Sequence, residues 1–185
     1  MNILRSALGR YEPMGFPEYA DCVIGHSFGT NIGPAGVNAA LAGVIAKHAQ
    51  DKPIIVDEVL ANAFSADQRA PDLIVTAKTE EDVLVEERVS TTFGRGVGTW
   101  GTLLAAKDFM QENQLERPLM VAHAHHVGRI VMQGEHKDMQ MSSIVLGNLP
   151  RQFDRDSAQW WTRSVALWLL REIPGAKMLR AQGKL

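Results

Sequence analysis

Residues Asp21–Asp57 read DCVIGHSFGTNIGPAGVNAALAGVIAKHAQDKPIIVD, and the order of patterns in this stretch decides the fold. DCVIGH (Asp21–His26) is a short apolar run that ends on Gly25. Gly36–Gln50 then places Val37, Ala40, Leu41, Val44, Ile45 and His48 at helical spacing. PIIVD (Pro53–Asp57) is a second apolar run, and its proline also closes the helix before it. Strand, helix and strand at this spacing predict a βαβ unit, with a right-handed crossover onto a parallel neighbour.

Working outward, DLIVTA (Asp72–Ala77) and DVLVE (Asp82–Glu86) each fit a strand. Ser90–Gly101 is rich in glycine, serine and threonine and reads as a loop, followed by a helix over Thr102–Asn113 lined by Leu103, Ala106 and Met110. PLMVA (Pro118–Ala122) is a further strand that runs into His123, Ala124, His125 and His126, then a helix through Arg129, Ile130 and Val131. SIVLG (Ser143–Gly147) is the last strand. The final helix is expected over Ser157–Glu172, with Trp161, Val165, Trp168 and Leu169 as its apolar stripe. Asp156 or Ser157 would cap it and Pro174-Gly175 would stop it.

This alternation predicts one α/β domain, core about 21–175, with a Rossmann-like three-layer sandwich and a mostly parallel sheet. Ligands of such sheets bind outside the carboxyl ends of the strands. That rule gathers Gly25-His26-Ser27, Asp57-Glu58, Glu86-Glu87 and His123–Arg129 onto one edge.

The bulk numbers narrow the function classes. The 185 residues suffice for a core without staples, and 45% hydrophobic with 22% charged residues is ordinary for a globular domain. A net charge of −2 speaks against a nucleic-acid partner, which would need a concentrated basic face. The single cysteine, Cys22, excludes an intrachain disulfide and reads as a small buried residue. There is no run of 18 apolar residues, and Arg5, Arg10 and Glu12 stand where a signal peptide would be apolar. The expectation is a cytoplasmic protein with no membrane span and a small-molecule ligand as its partner.

Gly25-His26-Ser27-Phe28-Gly29 is a literal G-x-S-x-G, the pattern of a hydrolase nucleophile elbow. Thr30-Asn31-Ile32-Gly33-Pro34 after it reads as loop, where the elbow requires a helix. The segment instead suits close backbone approach to a polar or anionic ligand. His123-Ala124-His125-His126 brings imidazoles to a strand end, where they can bind or orient a ligand; no metal site is assigned to them. His126 and Arg129 share a helix face one turn apart, so the helix N-terminus, a planar guanidinium and an imidazole meet there. Glu86-Glu87-Arg88 ends a strand, and its carboxylates suit a hydroxyl acceptor, a general base or a plain salt bridge. Gly94-Arg95-Gly96-Val97-Gly98-Thr99 contains G-x-G without the rest of a dinucleotide fingerprint.

These residues resemble the DUF218 family, the YdcF-like and SanA-like proteins. In Val121–Ile130, His126 and Arg129 fill that family's H-x-x-R turn. Gly25 matches its first-strand glycine, Glu87 with Ser90 and Thr92 its acidic segment, and Trp168 with Arg171-Glu172 its terminal helix. Thr99 takes the threonine of T-x-E-N, with Gly101 and Thr102 replacing the Glu and Asn. Ala122-His123 stand where Thr-Ser is usual. The resemblance implies a Rossmann-like fold, cell-envelope functions in some members and S-adenosylmethionine binding in one. On this reading His126 and Glu87 are the candidate catalytic residues. Gly25, His26, Ser27, Thr99, His123 and Arg129 are the candidate ligand-binding residues. Three function classes stand side by side: a binder or enzyme of a nucleotide-like or phosphate-bearing ligand, a serine hydrolase built on Ser27, and a non-catalytic interaction protein of the cell envelope.

Overall fold

The computed structural model describes residues 7–10, 17–76, 98–143 and 148–181. Five strands form one all-parallel sheet: β1 (Cys22–Gly25), β2 (Ile54–Asp57), β3 (Leu73–Val75), β4 (Pro118–Val121) and β5 (Ser142–Ser143), in the order β3-β2-β1-β4-β5. Five α-helices accompany them among the described residues: α1 (Val37–Ala49), α2 (Glu58–Ala61), α3 (Thr99–Glu112), α4 (Val127–Glu135) and α5 (Val165–Ala181). The expected Rossmann-like α/β sandwich is the observed one. The strand proposed over Asp82–Glu86 and most of the Ser90–Gly101 loop lie outside the described residues, as do the last four residues of SIVLG.

β1, β2 and β4 are buried along their whole length, which is why they read as unbroken apolar runs rather than alternating ones. Chain direction across the sheet explains the layers. β1-α1-β2 steps one way from the centre, and the connection from β3 through α3 returns past β1 to β4. Right-handed crossovers in opposite directions put α1 and α2 on one face and α3 and α4 on the other.

Two carboxylates at strand starts fix the register. The Asp21 side chain, just before β1, accepts from the amides of Glu116 and Arg117 just before β4, at 2.9 and 3.0 Å. Asp72, before β3, accepts from the Ile54 amide of β2 at 2.8 Å and pairs with Arg69. Cys22 has no solvent exposure, and burial with the nearby Asp21 pushes its thiol up to about 12, so it packs as a small apolar group. Among the described residues, no helix is long and apolar enough to cross a membrane.

Two helices differ from expectation at their boundaries. α3 begins at Thr99, three residues early, which puts Thr99 in its first turn. The last helix begins at Val165 and passes through Pro174 instead of stopping there. Its cap is Ser164, whose Oγ accepts from the Leu167 amide at 3.3 Å. Ser157 is occupied elsewhere: its buried Oγ accepts from Thr162 Oγ1 at 2.8 Å and from the Thr30 amide, tying this segment to the loop after β1. Val165 is consequently exposed and Trp161 sits in a short 3-10 turn, so the stripe reduces to Trp168 and the half-buried Leu169.

Candidate functional site

The strand order reverses between β1 and β4, whose ends are Gly25 and Val121 in register. This is the switch point at which open α/β sheets bind ligands. The loops that leave the two strands stay together, because the His26 amide donates to Val121 O at 3.0 Å.

His26 and Asp57 are brought side by side by the β1–β2 register, which pairs Gly25 with Val56. His26 Nδ1 lies 3.3 Å from Asp57 Oδ2 and 3.2 Å from Ser27 O, so the contact pattern assigns its proton to Nδ1. Asp57 is itself held: Oδ2 accepts from the Ser27 amide at 2.7 Å, and Oδ1 caps α2 through the Leu60 amide at 3.0 Å. The far side of the ring, Nε2, is buried and has no hydrogen-bond partner among the described residues. Burial lowers the proton affinity of His26, Asp57 opposes that shift, and Arg129 adds to it.

His126 occupies the position before α4, edge-on to His26 with ring centres 5.4 Å apart. Its Nδ1 accepts from Arg129 Nη2 at 3.1 Å and its Nε2 lies 3.3 Å from Thr99 Oγ1. Both ring nitrogens are therefore engaged, with the proton on Nε2. Burial holds this imidazole well below its ordinary range, and Arg129, His26 and His123 press it further down. Thr99 closes the arrangement by joining the first turn of α3 to the N-terminus of α4.

Arg129 faces inward. Its Nε donates to Glu172 Oε1 of α5, and Nη1 to Gln133 Oε1 at 3.2 Å. The guanidinium is a buried ion-pair partner that orients His126, rather than an open fork. His123 has no exposure: it stacks on Phe28 at 3.7 Å, donates through Nε2 to Gln152 O at 3.2 Å and accepts the His125 amide at Nδ1. Burial takes its pKa down to about 3. The strand ends at Val121, so His123 and His125 meet through the turn that follows it, with rings stacked 5.4 Å apart, and His125 reaches on to Ala7 O at 2.9 Å. Gly25 is explained by packing, since a Cβ there would collide with Ile45 of α1, Leu60 of α2 and Val56.

Of the candidates named from sequence, His26, Ser27, Thr99, His126 and Arg129 are gathered into one cluster around the switch point. His123 supports it from within the core. Glu87 lies outside the described residues. Asp57, which the strand-end rule places on this edge without assigning it a role, is the residue that orients His26. Its signal is the register, because residues that follow paired positions on neighbouring parallel strands must be adjacent. The serine-hydrolase geometry is not assembled among the described residues: no helix follows Ser27 until Val37, and no imidazole hydrogen-bonds to Ser27 Oγ. Among the described residues no group of three or more His, Cys, Asp or Glu side chains is arranged to hold a metal ion. Neither a protein-family model, nor a curated protein, nor a solved structure matches this chain.

Proposed function

We propose that the chain is a small-molecule-binding α/β protein of the DUF218 type, whose switch-point cleft takes a nucleotide-like or phosphate-bearing ligand. The contact between Thr99 and His126 carries this reading. It joins the N-termini of two helices at the strand-order reversal, and each terminus presents a positive partial charge. Arg129 lies directly behind His126 and fixes its ring, its own charge being paired with Glu172. The Thr99 hydroxyl accepts from His126 Nε2–H and retains its own proton to donate to a phosphate oxygen.

The test is thermal stabilisation of the protein by AMP, ribose 5-phosphate, S-adenosylmethionine and inorganic phosphate. Ligand at a hundred times its dissociation constant stabilises the folded state by about 2.7 kcal/mol. Stabilisation by a phosphate probe that disappears in Thr99→Val and survives in Thr99→Ser supports the reading. Indifference to every probe counts against it and favours the non-catalytic interaction protein.

A further inference from the structure

The Asp57–His26 pair is held rigidly at the ends of β1 and β2. Its carboxylate is fixed by two backbone amides, Ser27 and Leu60, so it cannot swing away from the imidazole. The His26 side chain is 9% exposed, and its protonated nitrogen points back at Asp57 and Ser27 O. Nε2 is then a bare lone pair in a buried setting, and a buried polar atom left unmatched costs about 1–3 kcal/mol. A second unmatched buried atom among the described residues, the Trp168 Nε1–H donor, belongs to a ring that meets His126 edge-on with ring centres 5.2 Å apart. The rings that carry this acceptor and this donor thus both meet His126, whose own nitrogens are both taken.

We propose that His26, positioned by Asp57, is the hydrogen-bond acceptor of this site, and that the ligand presents a hydroxyl to its Nε2. This rests on the switch-point reading above and narrows the ligand to a phosphate compound that also carries an alcohol, a sugar phosphate or nucleotide. The hydroxyl donates to Nε2 and keeps its proton, while Asp57 holds the Nδ1–H on the far side of the ring. His126 cannot fill this role, because accepting the hydroxyl at Nδ1 would displace its bond from Arg129. Among the described residues, the charged and titratable groups facing His26 are Asp57 from β2, and Arg129 and His126 from α4; of these only Asp57 raises its proton affinity.

Two measurements test it. Long-range proton–nitrogen NMR of the histidine rings should show His26 with Nδ1 protonated and Nε2 bare at neutral pH, and Asp57→Asn should lower its titration midpoint. AMP or ribose 5-phosphate should move the His26 Nε2 resonance, with exposed His136 as the internal control, whereas inorganic phosphate should leave it in place. An Nε2-protonated His26 would overturn the proposal without need of any variant that folds poorly. So would a His26 Nε2 resonance that stays in place while AMP or ribose 5-phosphate stabilises the protein, although the phosphate site would then stand. A protein stabilised by none of these probes would overturn both the hydroxyl contact and the phosphate reading.

Discussion

Arg129 and Glu172 form a buried ion pair across the face of α4: the guanidinium Nε donates to a carboxylate whose side chain is only 2% exposed. Removing one member of such a pair strands the other charge in the interior, at a cost of about 3–5 kcal/mol. Glu172→Ala should therefore lower stability by that order in urea denaturation. The His126 ring resonances should move with it, because the arginine that orders this ring loses its anchor. A loss below 1 kcal/mol would mean that the pair is not held as described.

Acid should unfold the protein through its histidines. Burial lowers the pKa values of His26, His123, His125 and His126 below the unfolded value of about 6.5. The unfolded chain therefore binds more protons than the folded one as pH falls below that value. Stability declines from there toward about 3, the region where His123 itself titrates. Each such group contributes a slope of about 1.4 kcal/mol per pH unit within its window. His123→Gln, which keeps a donor and an acceptor but cannot titrate, should flatten the measured slope by about one proton.

Gly25→Ala should destabilise by about 1–3 kcal/mol, the range for forcing extra volume into a packed core. The methyl would meet the Ile45 Cδ1 atom first. Adding Ile45→Val deletes that atom, so the double variant should regain part of the loss in a melting experiment. Full additivity of the two losses would show that the clash lies elsewhere.

Ser164→Ala should cost about 1 kcal/mol by removing the cap of α5, and Ser164→Asp should restore it. Helix content by circular dichroism and the melting temperature both report the outcome.

Much of this architecture was readable from residues 21–57 alone. Buried parallel strands advertise themselves as short β-branched runs, and proline and glycine separate them. The same reading reached His126 and Arg129, since a helix face is set by a three-residue spacing. It failed where two residues compete for one role. Ser157 and Ser164 are equally good caps on paper, and only the docking of Thr30 and Thr162 onto Ser157 decides between them. It also gave Arg129 to a ligand, because nothing local reveals that Glu172 is brought across by the packing of a distant helix.

Strand β1 lies between one partner close in sequence, β2, and one far away, β4. Closing the short βαβ loop costs less chain entropy and can come early, whereas pairing with β4 must gather a much longer segment. The Asp57–His26 half of the site belongs to the early unit, and Thr99, His126 and Arg129 arrive with the late one. A ligand that gripped both halves would slow unfolding more than it speeds folding.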